Sequence, residues 1–202
     1  MFVAQSINVT EDSASKPFII QAVPHVIINV RHYKPNGEIS RGFSPQVTGK
    51  FDGQSVWIRE GIRTSEGAYE LMVPHGLEDV QLSFVTNEQT AIMVQFEGEK
   101  LSPQDEYRFP KLEEDINNIR VVRYPAAILK VKFVDESGAD LKDAGIFATY
   151  LVEKDASDEM MMGNQIGYNR EGGFLRLSSI VPNTAFTVRG SLSGFETRTE
   201  TI

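Results

Sequence analysis

One stretch of this chain occurs twice, and the distance between the copies limits what the rest can fold into. Residues 24–37 read Pro-His-Val-Ile-Ile-Asn-Val-Arg-His-Tyr-Lys-Pro-Asn-Gly, and residues 125–138 read Pro-Ala-Ala-Ile-Leu-Lys-Val-Lys-Phe-Val-Asp-Glu-Ser-Gly. Pro24 falls on Pro125 and Gly37 on Gly138 at one offset of 101 (125 − 24, and 138 − 37). At that offset Val26, Ile28 and Val30 fall on Ala127, Leu129 and Val131. Alternate residues of a strand share a face, so each copy predicts a strand with one apolar side, closed by a turn. Lys34-Pro-Asn-Gly37 has turn chemistry: proline presets φ at the second position, and Asn-Gly tolerates positive φ.

The repeat divides 202 residues into two units of small-sandwich size. Residues 1–23 form a lead-in segment with one strand, Phe18–Val23. Residues 24–115 form the first β-sandwich, and 116–124 a linker strand. Residues 125–202 form the second sandwich. In the first unit Tyr69, Leu71 and Val73 alternate, then Val80, Leu82 and Phe84, then Ile92, Val94 and Phe96. Residues 38–55 hold several Gly and Pro without clear period and are read as a long irregular connection. Glu97–Asp115 is acidic, holds two prolines and is read as the unit's tail. In the second unit Ile128–Val134 and Ala144–Leu151 are strands, and 152–165 is a polar loop. Arg170-Glu-Gly-Gly173 repeats the turn at Thr64-Ser-Glu-Gly67. There Gly67 falls on Gly173 at an offset of 106 (173 − 67), which puts the extra residues in the loop before the turn. No stretch sustains a helical period, so the expected fold is all-β, two antiparallel sandwiches in tandem.

The order of signals in the second half is Val131-Lys-Phe-Val-Asp135-Glu-Ser-Gly138, Ala144, Arg170-Glu-Gly-Gly-Phe174, Pro182, Phe186-Thr-Val188 and Gly194-Phe195. It resembles the carboxypeptidase regulatory-like family, whose domains are transthyretin-like (prealbumin-like) sandwiches of the broad immunoglobulin-like kind. The resemblance covers 125–202 closely and 24–96 more loosely. It implies a non-catalytic accessory domain, repeated in exported proteins, and hence a secreted, periplasmic or cell-surface location.

A net charge of −8 with no Lys/Arg cluster argues against nucleic acid as a partner. No apolar run is long enough to insert in a membrane, and residues 1–24 show no leader pattern. With no cysteine there is no disulfide or thiolate metal site. The histidines do not make up for that. His25 and His32 fall on opposite sides of one strand, and His75 sits in a turn. Asp155, Asp158 and Glu159 are oxygen donors without calcium-loop spacing, and read as a solvated loop. No metal or cofactor is implied, and no catalytic constellation is found. A Lys–Asn/Asp cross-link needs an inward lysine, whereas Lys130 and Lys132 alternate with the apolar residues and should face solvent.

Two stretches invite binding readings. Trp57, beside Val56 and Ile58, reads first as a core residue and second as a face for stacking a sugar or peptide, with Tyr69 as a further contact. Met160, Met161 and Met162 lie in the polar loop and read either as a fold-back over the sandwich edge or as a sticky partner loop. The leading expectation is a tandem spacer or protein-interaction module of a larger exported protein. Its partners would be other domains of the same parent or another protein. The alternative is a carbohydrate- or peptide-binding module using Trp57. Phe18–Val23 falls on Ile119–Tyr124 at the 101 offset, whereas residues 125–202 hold no counterpart of 119–124. The second sandwich is therefore expected to close one strand short, which leaves an edge for head-to-tail self-association.

Overall fold

The computed structural model describes residues 22–41, 45–59, 61–65, 67–84, 89–103, 106–141, 143–150, 166–193 and 198–202. All of its regular elements are strands. In the first unit these are β1 (His25–Tyr33), β2 (Gln46–Phe51), β3 (Gln54–Ile58), β4 (Ile62–Arg63), β5 (Ala68–Pro74), β6 (Leu77–Ser83), β7 (Thr90–Gln95), β8 (Glu106–Leu112) and β9 (Ile116–Pro125). They form a five-stranded sheet, β4-β5-β1-β9-β7, facing a four-stranded sheet, β3-β2-β6-β8. Val30 and Val121 from the first sheet share one buried cluster with Val47 and Leu82 from the second. The second unit holds β10 (Ala127–Val131), β11 (Gly145–Tyr150), β12 (Tyr168–Glu171), β13 (Phe174–Ile180), β14 (Phe186–Ser191) and β15 (Arg198–Thr201). It pairs a β10-β13-β12 sheet with a β11-β14-β15 sheet around a smaller core. The all-β expectation of two tandem sandwiches therefore holds, with the correction that one pairing, β1 with β9, is parallel rather than antiparallel.

The duplication extends to the hydrogen bonds. Lys34 N–H donates to Glu38 O at 2.8 Å, and Asp135 N–H to Ala139 O at 2.9 Å. Gly37 N–H donates to Lys34 O at 3.0 Å, and Gly138 N–H to Asp135 O at 2.9 Å. Ser40 N–H reaches His32 O at 2.8 Å, and Leu141 N–H reaches Phe133 O at 2.9 Å. One backbone turn is thus built twice with different side chains. In the first copy the Lys34 ammonium holds the Glu38 carboxyl below its ordinary pKa. In the second, the Ser137 hydroxyl and then the Ala139 N–H do the same for Asp135.

Three expectations for the first unit need correction. The irregular connection at 38–55 contains β2 and opens the β2–β3 hairpin, which turns at Asp52-Gly53 with φ of 49° and 73°. Two successive positive φ values make a primed two-residue turn, whose twist matches that of the strands, and Asp-Gly is a preferred sequence for it. The acidic tail contains β8, an edge strand, where Pro110 has no further strand to donate to. Finally, the strand expected at 116–124 is present, but it belongs to the first sandwich rather than lying between the two. It is β9, paired parallel to β1 and antiparallel to β7. The chain crosses from β8 in one sheet to β9 in the other within three residues. Asp115 Oδ1 then accepts the Ile27 N–H at 2.7 Å and sets the start of β9 beside β1. Between Ile116 and Ile119 the strand bulges, with Asn118 at φ 64°, so both isoleucines are buried despite a spacing of three.

The first sandwich therefore runs to Pro125, and only Ala126 separates β9 from β10. Ala126 N–H donates to Gln89 O at 3.0 Å, and β7 of the first unit touches β13 of the second.

Candidate functional site

The two copies of the repeated strand differ most in burial. Val26, Ile28 and Val30 on β1 are 4%, 0% and 0% exposed. Their equivalents on β10, Ala127, Leu129 and Val131, remain only partly buried. The cause lies in the sheet order. β1 sits between β5 and β9, whereas β10 pairs with β13 on one side and, among the described residues, with no strand on the other. An unpaired strand edge presents a row of N–H and C=O groups to whatever approaches.

The seam between the two sheets is open along the same side. A groove of about 480 Å³ runs from β10 to the opposite sheet and is lined by Ala127, Ile128, Leu129, Ile180, Phe186 and Ile202 among others. Ile202 is held there by reciprocal backbone bonds with Phe186, at 2.9 and 3.1 Å. Ile128 and Ile202 are 50% and 53% exposed, which for large apolar side chains leaves the groove rim uncovered. In the first unit Leu112, Ile116 and Ile119 close the corresponding seam as the chain crosses from β8 to β9, and all three are buried.

The far end of the β10 row is Phe133. Its ring packs over Gly190 on β14, where any Cβ would collide with it. A smaller hollow of about 260 Å³ reaches Val131 and Phe133 from the β12–β13 turn. In the first unit the residue equivalent to Phe133 is His32, which is 0% exposed. His32 meets the Tyr69 ring edge-on at 5.7 Å between centroids and accepts a hydrogen bond at Nδ1 from Arg123 Nε at 3.4 Å. Burial lowers the Arg123 pKa below its ordinary value. His25, on the same strand, is exposed, so the two histidines do face opposite ways. Full burial makes His32 a packed core histidine with no route for a ligand.

Other sequence candidates are not brought together. Trp57 is 56% exposed, so its reading as a core residue is overturned; Val56 and Ile58 take the inward positions of β3 instead. The Arg59 guanidinium lies 3.2 Å above the Trp57 ring and covers one of its faces. Tyr69 belongs to the opposite sheet and packs against buried His32, so Trp57 and Tyr69 do not share a surface. Lys130 and Lys132 face outward as expected, and Lys132 Nζ pairs with Asp140 at 2.7 Å. Met160, Met161, Met162, Asp155, Asp158 and Glu159 lie outside the described residues. Among those described, no three His, Asp or Glu side chains gather where they could hold a metal ion.

No protein-family model matches the chain, and no curated protein matches it. Among solved structures it is similar to a streptococcal ancillary pilin, at 9% identity and a TM-score of 0.30, over 100% of this chain and 69% of that one.

Proposed function

We propose that the chain is a non-catalytic tandem module that spaces or joins parts of an exported protein. One observation carries this reading: the last strand of the first sandwich runs into the first strand of the second with a single residue between them. A strand held in a sheet at both ends transmits position, where a loop of several residues would absorb it. The bond from Ala126 to Gln89 and the contact of β7 with β13 support the same reading at the junction. The resemblance to carboxypeptidase regulatory-like domains supports both the accessory role and the exported location.

The test is rotational diffusion by NMR relaxation. The two units should tumble with one correlation time, and six Gly/Ser residues inserted after Ala126 should give them separate ones. Independent tumbling of the unaltered chain would sink the spacer reading.

A further inference from the structure

We propose that the open edge running on from the end of β10, from Val131 to Val134, accepts residues 18–23 of a second copy of this chain as a parallel strand, so that copies join head to tail. This deepens the module reading and rests on it.

The chain already contains one instance of the joint. β9 immediately precedes β10 in sequence, yet it lies in the sheet of the unit before, between β1 and β7. Phe18–Val23 immediately precedes β1 in the same way, and Pro24 matches Pro125 at the head of the following strand. By the same rule it belongs to the sheet of a preceding unit. The edge it requires is the one β10 leaves unpartnered among the described residues, which corresponds to the side of β1 that β9 occupies.

The register can be stated. β9 sets Ile119 opposite Val30 and Val121 opposite His32. At the 101 offset this sets Phe18 opposite Val131 and Ile20 opposite Phe133, the two partly buried residues at the end of the β10 row. Both incoming residues are apolar at inward positions, and Ala22 falls where β9 has Arg123. That substitution fits, because Arg123 serves His32, and the second unit has Phe133 there instead. Before Phe18 the β9 path is not followed, because Pro17 falls on Asn118, whose φ of 64° proline cannot adopt; the added strand therefore starts at Phe18 and leaves the groove beside Ala127–Leu129 open. Each added copy brings its own β10 edge, so the association is heterologous and does not close. Ladder hydrogen bonds supply the attachment, and the alternating side chains supply the register.

Sedimentation of the full chain over a wide concentration range tests the proposal. The mean mass should climb without a plateau. Phe18→Asp with Ile20→Asp should weaken association by about a hundredfold, since two apolar side chains lose their burial. A chain lacking residues 1–21 should stay monomeric and bind a synthetic peptide of residues 14–24 saturably, but not its scrambled form. Val131→Asp, opposite Phe18 in this register, checks the acceptor side and should reduce peptide binding, with its amide spectrum showing that the unit still folds. A full-length monomer at every concentration overturns the proposal, even if the truncated chain binds the peptide, because the segment is then held within one copy. Undiminished association of the Phe18/Ile20 variant overturns it too, because another surface is then responsible. The tumbling measurement, made on the truncated chain, fails or succeeds independently of either result.

Discussion

The two sandwiches begin with the same strand and turn but end differently. In the first, β9 returns beside β1, and the row from Val26 to His32 is sealed. In the second, the matching row from Ala127 to Phe133 stays partly open, and Ile128, Val134, Phe147, Phe174 and Ile202 remain exposed. Burial of a strand is therefore not a property of that strand. An apolar face becomes core only when strands on both flanks carry the opposing sheet across it.

Paired truncations give the sharpest test. Ile28→Ala and Leu129→Ala remove equivalent side chains from the two copies. The first should cost about 4 kcal/mol and the second about 2, because a half-exposed side chain loses less on deletion and leaves a cavity that solvent already reaches. Chemical denaturation, followed by Trp57 for the first unit and by backbone amide signals for both, measures each cost. Equal costs would mean that the second row is sealed in solution, and the contrast would collapse.

A second test uses alkali. Tyr107 lies in the first core, stacked on Phe96 at 5.2 Å and edge-on to Phe84 at 6.5 Å. Burial pushes its hydroxyl up to about 12; the Glu99 carboxylate adds to the rise and Ser102 opposes it. A raised pKa means that the unfolded chain releases this proton first. The stability tied to the neutral hydroxyl is therefore complete below about 10, the ordinary tyrosine value, and is lost as pH rises toward 12. Melting of the first unit, followed by Trp57 emission, should fall over that window in the native chain and fall less in Tyr107→Phe.

The smallest effect concerns how β9 is placed. Asp115→Ala removes the acceptor for the Ile27 N–H at the start of the β1–β9 pairing. The loss should be about 1 kcal/mol, with faster amide exchange at Ile27 and Ile28. Exchange that quickens along all of β9 would show that this carboxylate holds the strand in place rather than trimming its end.

Much of this was legible in the residues. The offset of 101 predicted two units and the shared turn, and alternation at Tyr69–Val73 and Val80–Phe84 predicted strands that are present. These signals are local, since a turn and a two-residue period are written in neighbouring side chains. Three things were not legible. The bulge at Asn118 breaks the period of β9, so its isoleucines fall three apart and the strand reads as a link between the units rather than as part of the first core. Pro110 and the surrounding charges hide β8, because an edge strand does not need every residue to pair or bury. Trp57 has apolar neighbours on both sides and still points to solvent, because β3 is an edge strand whose inward positions go to Val56 and Ile58. Composition and periodicity determined that the chain forms strands and repeats itself. Only the tertiary structure decided which sheet each strand joins, because strand pairing is a long-range choice. That choice set β9 beside β1 and left β10 at an edge.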